Sequence, residues 1–149
     1  MVDSREKGAR AELKIRDELR ELTGLRWERV PASGALDAVH GLKGDLYVPN
    51  SNNLFCVECK HYADDQVSSL ILTGKNPILM SWWEQAVTQA KKVNKDPLLI
   101  FKYDRSKSLV ATELTPTHRK HIHIVHGQYD FYILVLTDWI NIEEPIFIK

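Results

Sequence analysis

A long hydrophobic run is the first thing missing from this chain: nowhere in its 149 residues do about eighteen apolar residues follow one another, which excludes a bilayer-spanning helix. A signal core is missing too, because MVDSREKGARAELKIRDELR is charged throughout, and a cytoplasmic location is expected. Cysteine is scarce, and two residues cannot build a disulfide framework. Neither sign of charge dominates. The 20 Lys and Arg balance the 20 Asp and Glu, so no global field advertises a polyanionic partner. The placement is uneven, however: residues 91–107 (KKVNKDPLLIFKYDRSK) hold six Lys/Arg against two Asp, and THRKHIH at 117–123 adds more. A neutral total can therefore conceal basic ridges around an acidic pocket. No repeat, low-complexity tract or linker divides the chain, and 44% hydrophobic residues suit one domain with a proper core.

What is present begins with a helical period. Ala11, Ile15, Leu19 and Leu22 predict a helix over 4–23, stopped by Gly24. LRWERV (25–30) alternates and predicts a strand, whereas PASGALDAVHGLKG (31–44), with four glycines and prolines, predicts a loop. Strands over 45–48 and 54–61 form an antiparallel hairpin around PNSNN. Residues 63–77 carry no assignable period. Leu79, Trp82, Trp83, Ala86, Ala90 and Val93 then predict a second helix over 78–95. PLLIFKY and SLVATEL pair around DRSK, and HIHIV and YDFYILVLT pair around HGQ. The order α-β-β-β-α-β-β, with a β-rich tail, predicts an α/β (α+β) fold in which helices pack on a mixed sheet.

The hairpin carries the chemistry. In LFCVECK, Phe55, Val57 and Cys59 share one strand face and Cys56, Glu58 and Lys60 the other. A buried carboxylate beside an ammonium is costly without partners. One reading is a surface hairpin with a solvated Glu-Lys pair. The other is a metal-phosphate site: Asp45 and Glu58 supply the hard oxygens that Mg²⁺ prefers, the Cys59 backbone carbonyl adds a ligand, and Lys60 orients water or neutralises charge on the phosphate. The second reading requires Asp45 to pair with an even-numbered residue near 58, since cross-strand partners share a face. Glu12 lies at the margin of the apolar stripe of the first helix. It either snorkels at the core edge, pairing with Arg16, or completes the site as a third acid.

KGARAELKIRDEL, WERVPASGA, KGDLYV and LFCVECK together resemble the PD-(D/E)XK nuclease superfamily, and within it the archaeal-type Holliday junction resolvases and their viral relatives. The likeness runs from about residue 7 to 105 and includes the Gln85 helix followed by DPLLIFKYDR. It implies a restriction-endonuclease-like αβββαβ core over about 4–105, with extra C-terminal strands over about 106–149. It further implies a metal-dependent endonuclease, using Mg²⁺ or Mn²⁺, that makes paired nicks in branched DNA (a four-way junction). Two symmetric nicks need two sites, hence a homodimer. A viral member would act in the host cytoplasm. By the same resemblance Glu12, Asp45, Glu58 and Lys60 match the catalytic set, Ser33 matches a loop serine near the scissile phosphate, and Gln85 lies near the active site. Gly44 stands where the family usually has Pro. The segment 63–80 is longer than the family's compact version, and the tail after 115 has no clear counterpart.

Other features weigh less. Cys56 and Cys59 spell C-x-x-C, but strand alternation puts them on opposite faces. His118, His121, His123 and His126 form either an exposed strand face or a phosphate contact. Trp82 and Trp83 diverge by 100° on a helix, so at least one belongs to the core. Lys91, Lys92, Lys95, Lys102, Arg105 and Lys107 are the candidate DNA-binding cations, or else a solvated helix end and turn. Two other functions are open: a repair or restriction-like nuclease for other DNA structures, and a non-catalytic nuclease fold that only binds DNA or protein.

Overall fold

The computed structural model describes residues 4–31, 42–62 and 77–149. The predicted Ser33 and most of the 63–80 segment lie outside the described residues. The first helix, α1 (Ser4–Thr23), buries Ala11, Ile15 and Leu19 on one stripe. It ends where Gly24, at φ 72°, donates its N–H to the Arg20 carbonyl, a left-handed cap that glycine adopts without a Cβ penalty.

Seven strands follow: β1 (Glu28–Arg29), β2 (Leu46–Tyr47), β3 (Phe55–Tyr62), β4 (Asp96–Tyr103), β5 (Leu109–Thr112), β6 (Ile122–His126) and β7 (Tyr129–Val135). They form one mixed sheet in the order β1-β2-β3-β4-β5-β7-β6. Among the described residues only the β3–β4 pair is parallel, and α2 (Pro77–Lys92) lies between its two strands in the chain. The αβββαβ order is therefore present. The tail after residue 105 extends the same sheet as its far edge, and a short helix α3 (Leu136–Asp138) running into a π-helical turn (Trp139–Glu143) leads the chain back. There Phe147 meets Trp27, Phe55 and Trp139 ring to ring, and Lys149 donates its backbone N–H to the Asn52 carbonyl.

Two cores flank the sheet. Under α1 lie Val57, Cys59, Leu98, Ile100, Val110, Leu134 and Trp139. Under α2 lie Trp83, Ala86, Leu99, Phe101, Ala111, Phe131 and Ile133. Alternation along β4 explains the division, since even positions face α1 and odd positions face α2. Trp83 is the buried member of its pair and stacks on Phe131 at 4.4 Å, while half-buried Trp82 packs beside Tyr62 and Phe101. Among the described residues no helix is long and apolar enough to cross a membrane.

Several elements are shorter than the pattern predicts, the strand expected over 45–48 among them, which forms ladder bonds only at Leu46–Tyr47. The strand expected over 25–30 forms ladder bonds only at Glu28–Arg29. Thr23 and Trp27 pull the preceding chain onto α1 instead: the Trp27 indole N–H and the Leu25 N–H both donate to the Thr23 hydroxyl. The second helix closes at Lys92 rather than 95. Asn94 takes φ 54°, Asn94 N–H bonds the Lys91 carbonyl and Lys95 N–H bonds the Ala90 carbonyl, which is a Schellman closure.

Candidate active site

The β2–β3 register pairs Leu46 with Val57, so Asp45 stands opposite Glu58 on the α2 face of the sheet. The even-numbered pairing required by the sequence is thus formed. The turn that delivers Asp45 depends on Gly44, which has φ 86°. A Cβ there would sit 2.6 Å from the Val57 carbonyl oxygen and 3.2 Å from the Cys56 sulfur. Asp45 N–H donates to that same carbonyl, and the Asp45 carboxylate accepts the Cys59 N–H at 2.7 Å. Where the resembled family has Pro, this chain reaches the same acid through a left-handed glycine.

Glu58 is 4% exposed, although it ends in a polar cleft. Burial pushes its carboxyl up to about 8, and the neighbouring Asp45 adds to the rise; Lys60, two residues further on the same face, opposes it. Glu12 reaches the same place from α1, and burial followed by the Asp45 charge raises its carboxyl as well. Its partner is Arg29 of β1, at 2.9 Å, and not Arg16, which bonds Asp17. The three acids open into a cleft of about 310 Å³ lined also by Arg29, Lys43, Gln85 and Gln89.

This donor set fits a hard divalent cation: carboxylate oxygens crowd one another, one of them is buried, and a cation between them would relieve both repulsion and desolvation. Among the described residues no three such side chains already form a closed coordination cage. Arg29 holds Glu12, and the Cys59 N–H occupies one Asp45 oxygen.

The remaining expected residues fall into groups. Gln85 lines the cleft, and Lys60 stands half-buried beside Glu58. Lys91, Lys92 and Lys95 gather where β4 begins, while Lys102, Arg105 and Lys107 lie at its other end. The eight residues of β4 separate these trios by roughly 23 Å. They make two patches, not one ridge. Cys56 and Cys59 do lie on opposite faces, and burial holds both thiols high, Cys56 at about 12. His123 stacks on Tyr132 at 4.4 Å and bonds Asp130, and His121 meets the same tyrosine edge-on, so these two share a strand face.

Three cleft residues escaped the sequence reading. Gln89 is one helical turn beyond Gln85, and that i,i+4 spacing was legible. Arg29 follows buried Trp27 by two residues, so alternation alone points it toward α1. Lys43 had no signal beyond its position before Gly44 and Asp45.

Residues 3–144 match the model of a family described as "Phage putative PDDEXK endonuclease". The chain is 42% identical to Protein D14 of Escherichia phage T5 over 141 residues, covering 90% of this chain and 88% of that one. Among solved structures it is similar to Archaeoglobus fulgidus Hjc, a Holliday junction resolvase, with 17% identity, a TM-score of 0.44, and coverage of 87% of this chain and 89% of that chain.

Proposed function

Because the chain belongs to the phage PD-(D/E)XK endonuclease family, we propose that it hydrolyses DNA phosphodiester bonds with Mg²⁺ or Mn²⁺, acting on four-way junctions as a homodimer in the host cytoplasm. The observation that carries this reading is the convergence of Glu12, Asp45 and buried Glu58 on one cleft. Asp45, Glu58 and the Cys59 carbonyl would hold the ion, with Glu12 close by. When bound, a divalent ion supplies Lewis acidity at the phosphate and acidifies a water.

The chain's own groups do the rest. Asp45 is fixed for ligation by the Cys59 N–H, so little ordering remains to be done at binding. Lys60 stabilises the charge that develops on the phosphate. Gln85 and Gln89 offer amide donors to its oxygens, and Arg29 and Lys43 supply the positive charge an acidic cleft needs to admit a polyanion. Ser33, carried over from the resemblance, would act near the scissile phosphate. The burial of Glu58 within this cleft, with a carboxyl raised by desolvation, supports a catalytic role over binding alone.

A synthetic mobile junction, labelled on each strand in turn and incubated with Mg²⁺, tests the reading. Symmetric paired nicks are expected. No cleavage of any DNA with Mg²⁺ or Mn²⁺ would end the nuclease reading, whereas equal rates on duplex, flap and junction would end the junction preference in favour of a repair or restriction-like enzyme.

A further inference from the structure

A second, larger depression of about 750 Å³ adjoins the carboxylate cleft. The two share Pro31 as a common wall, and Leu42 of the second is the chain neighbour of Lys43 in the first. Tyr47 and Lys95 line the groove, and the β2–β3 turn forms its rim through Asn50 and Asn52. Tyr47 lies two residues beyond Asp45 on the same strand face, about 6.7 Å along the chain. That is comparable to the separation of successive phosphates on an extended strand.

Cations stand along the same path: Lys95 lines the groove, and Lys43 lines the carboxylate cleft next to Leu42 of the groove wall. Lys95 is set there by the Schellman closure of α2, through its N–H to the Ala90 carbonyl.

The rim is preorganised. Buried Asn53 accepts the Val48 N–H at 2.8 Å and donates to the Val48 and Ser51 carbonyls at 2.8 and 3.1 Å. The isolated bridge from Asn53 to Ile148 ties the turn to the returning C-terminal chain.

We propose that this groove is a binding subsite for the nucleotide adjoining the scissile phosphate, with that nucleotide's own phosphate held by Lys43 and Lys95 and its base packed on Tyr47. The identity of the ligand rests on the nuclease reading; the groove, its cations and its aromatic wall do not. The subsite makes one flanking nucleotide count for affinity, while Asn50 and Asn52 present amides to its edge.

The test places a single abasic site at successive positions along the cleaved strand of a junction. Affinity is read by fluorescence anisotropy in Ca²⁺, and the single-turnover rate is read in Mg²⁺. For the native protein, one position next to the cleavage point should weaken binding about ten-fold, the range of losing one base–aromatic stack. Tyr47→Ala should lose the same factor on intact DNA and become indifferent to that abasic site, whereas Tyr47→Phe should behave as the native protein. Lys95→Ala, at a half-buried position outside the core, should lower the slope of log affinity against log salt by about one. Native binding that ignores every abasic position, or a Tyr47→Ala protein that still responds to it, would overturn the subsite. An unchanged slope in Lys95→Ala would remove that lysine's part and overturn the two-cation arrangement. Loss of cleavage with the binding pattern intact would count against the nuclease reading alone, since the anisotropy arm does not depend on turnover.

Discussion

Replacing Glu58 by Gln in metal-free protein should raise stability, and should do so increasingly with pH. Glu58 is nearly fully buried and its carboxyl titrates near 8, against an ordinary value of 4.5 in the unfolded chain. Between those values the folded state holds a proton that the unfolded state has released, so stability must fall as pH rises. The contribution is fully present below about pH 4.5 and is lost through pH 8. At about 1.4 kcal/mol for each pH unit, the ceiling is roughly 5 kcal/mol. The cleft is open to water on one side, which brings the expected loss to roughly 2–4 kcal/mol between pH 5 and 9. The Glu12 carboxyl is raised as well, so the curve belongs to the cluster and not to one acid. The assay is urea unfolding in chelator at several pH values for native protein and Glu58→Gln. The native curve should decline and the variant's should decline much less, the residual slope coming from Glu12. Adding Mg²⁺ at pH 8.5 should restore the native protein and leave Glu58→Gln nearly unmoved. Parallel pH dependences for the two proteins, or a native protein that grows more stable from pH 5 to 8, would refute the reasoning.

Gly44→Ala combines a left-handed φ with a Cβ at 2.6 Å from the Val57 carbonyl, and should cost roughly 2–4 kcal/mol in urea unfolding and cut cleavage by displacing Asp45. Asp45→Asn should abolish cleavage while junction binding, measured in Ca²⁺, stays within a few-fold of native. Lys60→Ala should slow single-turnover cleavage by about two orders of magnitude with little change in binding; weaker binding at an unchanged rate would make it a phosphate anchor only. Arg29→Ala removes an exposed ion pair worth at most about 1 kcal/mol of stability, so a rate loss above ten-fold with an unmoved melting temperature would place Arg29 at the phosphate. Neutralising Lys91 and Lys92 together should change the salt slope of binding by up to about two; an unchanged slope would make them a solvated helix end that complements the helix dipole.

The facing of Asp45 and Glu58 was decided locally. Alternation along LFCVECK, together with a turn whose length sets the register, leaves only one parity that brings two acids to one side, and the strands adopt it. Glu12 at the edge of the α1 stripe, Trp83 rather than Trp82 in the core, and the opposed cysteines follow from periods of 3.6 and 2 that each element carries alone. Even Gln89 and Arg29 obey those periods.

What no local period contains is which distant surfaces meet. Glu12 takes Arg29 from β1, seventeen residues on, because packing of α1 against the sheet brings that edge strand closer than its own helical neighbour Arg16. The run 91–107 holds six candidate DNA-binding cations, but an eight-residue strand inside it carries the two halves to opposite ends of the sheet. The tail after 115 has no clear counterpart in the resembled motifs, yet its hydrophobic strand β7 is buried by joining β5, and Phe147 closes the core that α1 opens. Burial of Glu58 beside two other carboxylates, and the raised proton affinity that follows from desolvation first and repulsion second, exist only once chain segments 46 residues apart share a cleft. A sequence states each residue's side; tertiary packing decides the distance between sides, and the chemistry of an acidic site depends on that distance.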